Sequence, residues 1–283
     1  MFLQGCGGLP RTADIPGGGI IGGDRDGAPA QPIDVSTIPE PVPRVEPLAK
    51  YGNPPSYTVY GKRYVTVKSS AGYVERGIAS WYGTKFHGRR TSSGEPYDLY
   101  AFTAAHKTLP LPTYVQVTNL RNGRTIVVRV NDRGPFHENR LIDLSYAAAS
   151  RLGILPTGTG LVEVRSIDPR DNPPATLLAD TGAAQPPPAA PSNVSVQVQA
   201  VQNAHEPSLY LQVGAFASRE NAERLRQRLA VNFASVTKIV QATLNQAAVY
   251  RVRLGPLKDV DEADRIAASI MRLGLEAPHV VID

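Results

Sequence analysis

Residues 126 to 145 read IVVRVNDRGPFHENRLIDLS. Alternating and apolar residues run straight into Asn131-Asp132-Arg133-Gly134-Pro135. Asn, Asp, Gly and Pro form turns, so a plain loop accounts for the segment. A second account is that a strand presents a carboxylate at its end, with Gly134-Pro135 fixing the turn beyond it. Other reactive groups nearby narrow the choice. From Gly77 to Asp168 the acids are Glu95, Asp98, Asp132, Glu138, Asp143, Glu163 and Asp168, outnumbered by Lys and Arg. The histidines are His87, His106 and His137, each in a different polar loop. No HExxH and no cysteine pair is present, so a zinc site is not expected. Neither a GxSxG nucleophile nor a phosphate-binding glycine loop occurs, and no cofactor is implied. Carboxylate chemistry or plain binding remains.

The elements that must position these groups are short strands. GIASWYG (77–83) alternates and ends in Gly. TYVQVTNL (113–120) and RTIVVRV (124–130) flank Arg121-Asn122-Gly123, and Asn-Gly between alternating runs is a hairpin signal. GLVEVRSID (160–168) closes the set. One helix is expected at SYAAASRLG, capped by Ser145 and stopped by Gly153. Many short strands and one helix suggest a small closed barrel. Further on the pattern changes to strand 209–216, helix 218–229, two strands within 234–256, helix 261–274 with Asp261 at its cap, and strand HVVI. The order βαββαβ is ferredoxin-like and says nothing of function. The fold class is therefore mainly β plus α+β.

Pro-, Gly- and Asp-rich tracts divide the 283 residues. Residues 7–50 read as a disordered tether, 51–76 as a lead-in, 77–168 as the barrel, 169–205 as a Pro/Ala-rich linker and 206–283 as the second domain. A net charge of +5 suits acidic or neutral polymers and is too mild for nucleic acid. Cys6 is the one cysteine, so no intramolecular disulfide is expected. Leu3-Gln4-Gly5-Cys6 resembles a bacterial lipobox, whose processing would leave Cys6 acylated. Residues 1–6 then read as a truncated lipoprotein signal, because a full signal carries a basic and an apolar region ahead of the cysteine.

GIASWYGTKFHGRRTSSGEPYD, TAAHKTLPLPTYVQVTNLRNGR and VRVNDRGPFHENRLIDLS closely resemble the double-psi β-barrel of the rare lipoprotein A family, septal lytic transglycosylases of bacterial peptidoglycan. YLQVGAF and YRVRLGP resemble a SPOR domain, a module that binds glycan strands stripped of stem peptides. The resemblance implies endolytic cleavage between N-acetylmuramic acid and N-acetylglucosamine in peptide-free strands, leaving 1,6-anhydro ends. It implies a lipid anchor through Cys6 at the periplasmic face of the outer membrane, enrichment at the septum, and divisome proteins as candidate partners. A non-catalytic septal glycan-binding lipoprotein is the alternative.

The family's functional positions match Glu95 and Asp98 in GEPYD, His106 in AAHKT and Asp132 in NDRGP. A departure is TSSGE, at residues 91–95, where the family often has an Ala-Asn pair. In the implied chemistry the muramyl C6 hydroxyl attacks C1, and one carboxyl serves first as acid and then as base. Asp132 is assigned that double task. Glu95 and Asp98 are expected to assist one another as neighbouring carboxyls, and His106 to orient a carboxylate. Without the resemblance these three read as solvated loop residues. Arg133 is expected to clamp a sugar or its lactyl group, or to pair with an acid. Trp81 and Tyr82 read equally as sugar platforms or as core. In the SPOR-like sheet Gln212, Arg251 and Arg253 are candidate glycan donors, placed by strict alternation on the open face with Tyr210.

Overall fold

The computed structural model describes residues 26–31, 34–137, 139–170, 207–234, 236–244 and 246–283. Strands β1 (Ser56–Val59) and β2 (Lys62–Val65) form a hairpin within the lead-in. Six strands follow: β3 (Val74–Tyr82), β4 (Thr103–His106), β5 (Thr113–Asn119), β6 (Thr125–Asp132), β7 (Arg140–Ser145) and β8 (Gly160–Ser166). They close a barrel in the order β3-β7-β4-β6-β5-β8. The pairs β3/β7 and β4/β6 are parallel and the others antiparallel. This is the expected double-psi type of barrel.

Alternation fills the interior. Val115, Val117, Ile126, Val128, Val130, Ile142, Leu144, Val162 and Val164 are buried together, and removing their surface from water holds the barrel shut. The β5–β6 hairpin turns as expected at Gly123, whose φ of 71° suits a residue without Cβ. Helix α1 (Tyr146–Leu152) starts where Ser145 accepts from the Ala148 amide and ends at left-handed Gly153, also as expected. It packs its alanines on the barrel.

Residues 34–50 depart from the tether reading, because they lie against the barrel. Glu40 accepts from the Val127 amide at 2.8 Å, and Ala49 donates to the Leu111 carbonyl at 2.8 Å. Arg151 donates to the carbonyls of Val35, Ser36 and Ile38. The segment has no periodicity of its own because polar contacts and scattered apolar residues, not an amphipathic face, attach it. Residues 1–25, with Cys6, and 171–206 lie outside the described residues.

The second unit comprises β9 (Leu209–Phe216), α2 (Arg219–Phe233), β10 (Thr237–Leu244), β11 (Ala247–Leu257), α3 (Val260–Arg272) and β12 (His279–Ile282). Its antiparallel sheet has the order β10-β11-β9-β12, the ferredoxin-like arrangement expected. Helix α3 is capped by Asp259 rather than Asp261. Asp259 accepts from the Glu262 amide at 2.8 Å, and Glu262 reaches back to the Lys258 amide, a capping-box arrangement.

Candidate active site on the barrel

Asp132 stands at the end of β6, and a register shift decides where it points. Strict alternation would turn it inward with Val128 and Val130. Between β4 and β6 the pairing moves from Ala104 with Val130 to Ala105 with Asp132. The extra residue is a bulge, and it re-aims Asp132 to the outer face. There the Ser92 amide, the Ser92 hydroxyl and the Arg133 amide all donate to its Oδ1, at 2.8, 2.7 and 2.7 Å. Among the described residues Oδ2 accepts no hydrogen bond. The half-buried carboxyl is thus held in one orientation through its Oδ1.

Glu95 and Asp98 are not brought together as an assisting pair. Glu95 receives both Nη1 bonds of Arg129, at 2.8 and 3.0 Å, and one from Asn131 at 3.0 Å. Burial raises its pKa, but the bonds from Arg129 and Asn131 outweigh it and leave the carboxyl below its usual range. Asp98 is exposed, accepts from the Tyr100 amide at 2.9 Å and stands 3.9 Å from His87. The proline between them turns each acid to different partners. Arg129 also grips Glu46 at 2.8 Å, tying residues 34–50 to the Glu95 loop.

His106 is buried, not a solvated loop residue. Its Nδ1 accepts from the amides of Thr108 and Leu109 at 3.2 and 3.1 Å, which places the proton on Nε2. Nε2 lies 2.9 Å from the Tyr73 hydroxyl, and that hydroxyl donates to Glu75 at 2.7 Å. A carboxylate is therefore reached, but through Tyr73, and it is Glu75. Burial, followed by the charges of Lys107 and Arg133, pushes the imidazole down to about 3, so it is neutral at working pH.

Arg133 clamps the protein rather than offering its fork to a sugar. Its donors reach the carbonyls of Gly52 (2.8 Å), His106 (3.2 Å) and Leu109 (2.5 Å) and the Asn53 side chain (3.1 Å). Among the described residues it makes no carboxylate pair; it pins the lead-in beside Asp132. Tyr82 is buried with its ring stacked on Tyr97 at 4.1 Å. Trp81 is half-buried and meets Tyr146 edge-on at 6.0 Å, packed against the core. Both aromatics are engaged in packing, because β3 carries them into a wall of tyrosines.

In the second unit the three candidate donors share one face of the sheet, but they are not equally open. Gln212 pairs with Arg253, and the unbroken β10–β11 register keeps Arg251 on the same side, as expected; the register shift at Val213 only sets Ala215 rather than Gly214 opposite Arg251. Arg253 is buried and ion-paired with Asp283 at 2.8 Å. Tyr210 is also buried, under the Lys238 ammonium at 4.0 Å. Gln212 and Arg251 remain half-buried.

Sequence reasoning missed Ser92, Arg129 and Tyr73, which hold Asp132, Glu95 and His106. The signal for Ser92 was present in TSSGE: the departure from the family's pattern lands directly against Asp132.

A model of the lytic transglycolase domain matches residues 74–165, and a SPOR domain model matches 206–281. The endolytic peptidoglycan transglycosylase RlpA of Pseudomonas aeruginosa is 46% identical over 290 residues, covering 91% of this chain and 84% of its own. The Vibrio cholerae protein of the same name is 38% identical, covering 99% of this chain and 93% of its own. The crystal structure of the P. aeruginosa RlpA SPOR domain is 42% identical over 26% of this chain and 96% of its own, with a TM-score of 0.25. With near full-length relatives in two species and both domains in the same order, the chain belongs to the RlpA family of endolytic peptidoglycan transglycosylases.

Proposed function

We propose that this protein cleaves peptide-free glycan strands endolytically between N-acetylmuramic acid and N-acetylglucosamine, closing a 1,6-anhydro ring on the muramyl product. The observation that carries the reading is Asp132, with Oδ1 locked by three donors on the outer face of the barrel. Such a carboxyl exchanges protons with the substrate at a fixed point. Glu95 acts as a fixed negative charge in a network with Arg129, and His106 acts as a neutral brace. Asp98, exposed beside this loop, is left as a contact for the strand. Purified protein incubated with peptide-free strands is expected to release anhydro-ended fragments, read by mass spectrometry. Binding without fragments would support the non-catalytic alternative instead.

The SPOR domain directs the barrel to stripped glycan at the division site, and Cys6 anchors the protein at the periplasmic face of the outer membrane. Gln212 and Arg251, half-buried on the sheet, are the retained donors for glycan. A labelled 206–283 fragment is expected to concentrate at septa without the barrel, and an even distribution around the cell would contradict the targeting role. Intact-mass measurement of the mature protein tests the acylation of Cys6, since two acyl chains give stable anchoring.

A further inference from the structure

Asp143 is a second acid beside Asp132, and neither the motif matches nor the reading above uses it. The strand registers place it. Ser80 on β3 pairs with Asp143 on β7, Asp143 pairs with Ala105 on β4, and Ala105 pairs with Asp132 on β6. Register partners point to the same side of a sheet. Ser80, Asp143, Ala105 and Asp132 therefore form one row across four strands, on the face opposite core residues Ile142 and Leu144. The two acids are two strand steps apart, roughly 10 Å between backbones. Carboxyl pairs that flank a scissile glycosidic bond stand about 5–5.5 Å apart in retaining and about 6.5–9.5 Å apart in water-admitting inverting glycosidases, so two side chains reaching toward one another from this row can both meet one bond. Only small residues separate them: Ala105 lies between, and the backbone of Gly134 passes over it, close enough that an added Cβ would stand 3.7 Å from the Ala105 Cβ.

The surroundings of the two carboxyls differ. Among the described residues Asp132 has three donors on one oxygen, whereas Asp143 has one, the Ser80 hydroxyl. Asp143 is partly exposed. Tyr82, two residues beyond Ser80 on the same face of β3, lies within electrostatic reach of both acids. Burial raises the Asp143 carboxyl above its usual range, opposed by the Ser80 bond and by the charges of Arg140, Lys107 and His137. Among the described residues Tyr97 is a further titratable group within its electrostatic reach.

We infer that Asp143 is the catalytic acid of the barrel, protonating the leaving oxygen while Asp132 serves as the base. The inference rests on the transglycosylase reading and divides between two carboxyls what one would otherwise do in turn. The bond from C1 to the glycosidic oxygen breaks, its electron pair goes to that oxygen, and the oxygen takes the Asp143 proton. The muramyl O6 bonds to C1, and its proton passes to Asp132. A proton returns from Asp132 to Asp143 through solvent, so the enzyme is unchanged and no water is consumed. Ser80 is a positioning residue.

The test compares parent, Asp143→Asn and Asp132→Asn on two substrates: peptide-free strands, and a muramic-acid-ended oligosaccharide carrying a 4-nitrophenyl leaving group that needs no protonation. Asp143→Asn is expected to lower kcat on strands by about 10²–10⁴-fold and to cleave the nitrophenyl substrate at close to the parent rate. Asp132→Asn is expected to be slow on both. Near-parent cleavage of strands by Asp143→Asn, or equal slowness on both substrates, overturns the inference alone. A parent that leaves both substrates intact overturns the transglycosylase reading and the inference with it. Ser80→Ala guards against a variant that fails to fold. Loss of the bond that favours the Asp143 carboxylate moves the alkaline limb of the kcat profile to higher pH, and an unmoved limb overturns the inference.

Discussion

Asp132→Asn is expected to cut strand cleavage by about 10²–10⁴-fold, the usual worth of a positioned acid–base group. The substitution is conservative in shape. An asparagine Oδ1 still accepts from the Ser92 amide, the Ser92 hydroxyl and the Arg133 amide. The loop at 91–95 therefore stays in place, and thermal unfolding is expected to move little. What changes is the other position, where an amide nitrogen replaces Oδ2 and cannot take a proton from the muramyl hydroxyl. Binding of glycan by the SPOR domain is expected to persist. Near-parent cleavage would mean that NDRGP is only a turn, and the same isosteric change at Glu95 and Asp98 would follow.

Arg129→Ala is expected to destabilise the protein as well as impair cleavage. The guanidinium holds Glu46 and Glu95 together, with its own side chain only 18% exposed. Removal leaves two carboxylates facing one another without their cation. Breaking a buried pair from one side destabilises strongly, and with Glu95 partly solvated the expected loss is about 2–4 kcal/mol. For a domain of this size that lowers Tm by roughly 10 °C or more. The pH dependence has a definite sign. Burial pushes the Glu46 carboxyl up, but hydrogen bonds from Arg129 and Tyr114 outweigh it and hold it down to about 2, against 4.5 when unfolded. The stabilisation is therefore full above pH 4.5 and fades as pH falls toward 2. The gap between parent and variant is expected to narrow over the same window. Equal unfolding temperatures at neutral pH would contradict this.

The local signals were legible. Period-two alternation marks the barrel strands, Asn122-Gly123 marks the hairpin, and Ser145 and Gly153 bracket α1, because each is decided within a few residues. The two bulges were not. Asn131-Asp132 and the stretch around Val213 look like regular strand, and only the partner strand reveals the extra residue. The first bulge turns Asp132 outward, and the second sets Ala215 rather than Gly214 opposite Arg251, while burial under the Asp283 ion pair withdraws Arg253 from the face it shares with Gln212 and Arg251. The attachment of residues 34–50 was hidden for another reason: Glu46 meets a partner 83 positions away, and no composition shows that. At α3 the signal was present. Glu262 three residues after Asp259 marks the capping box, but three aspartates crowd the helix start. For the site, the resemblance located Glu95, Asp98, His106 and Asp132, while the partners of each had to come from the fold.

Cleavage of peptide-free strands in oxygen-18 water tests the central claim most directly. A lytic transglycosylase closes the muramyl ring with the substrate's own C6 hydroxyl, so the new muramyl ends are expected to carry no heavy oxygen and no reducing group. One heavy oxygen at each reducing muramyl end would mean that water is the nucleophile and would contradict the account.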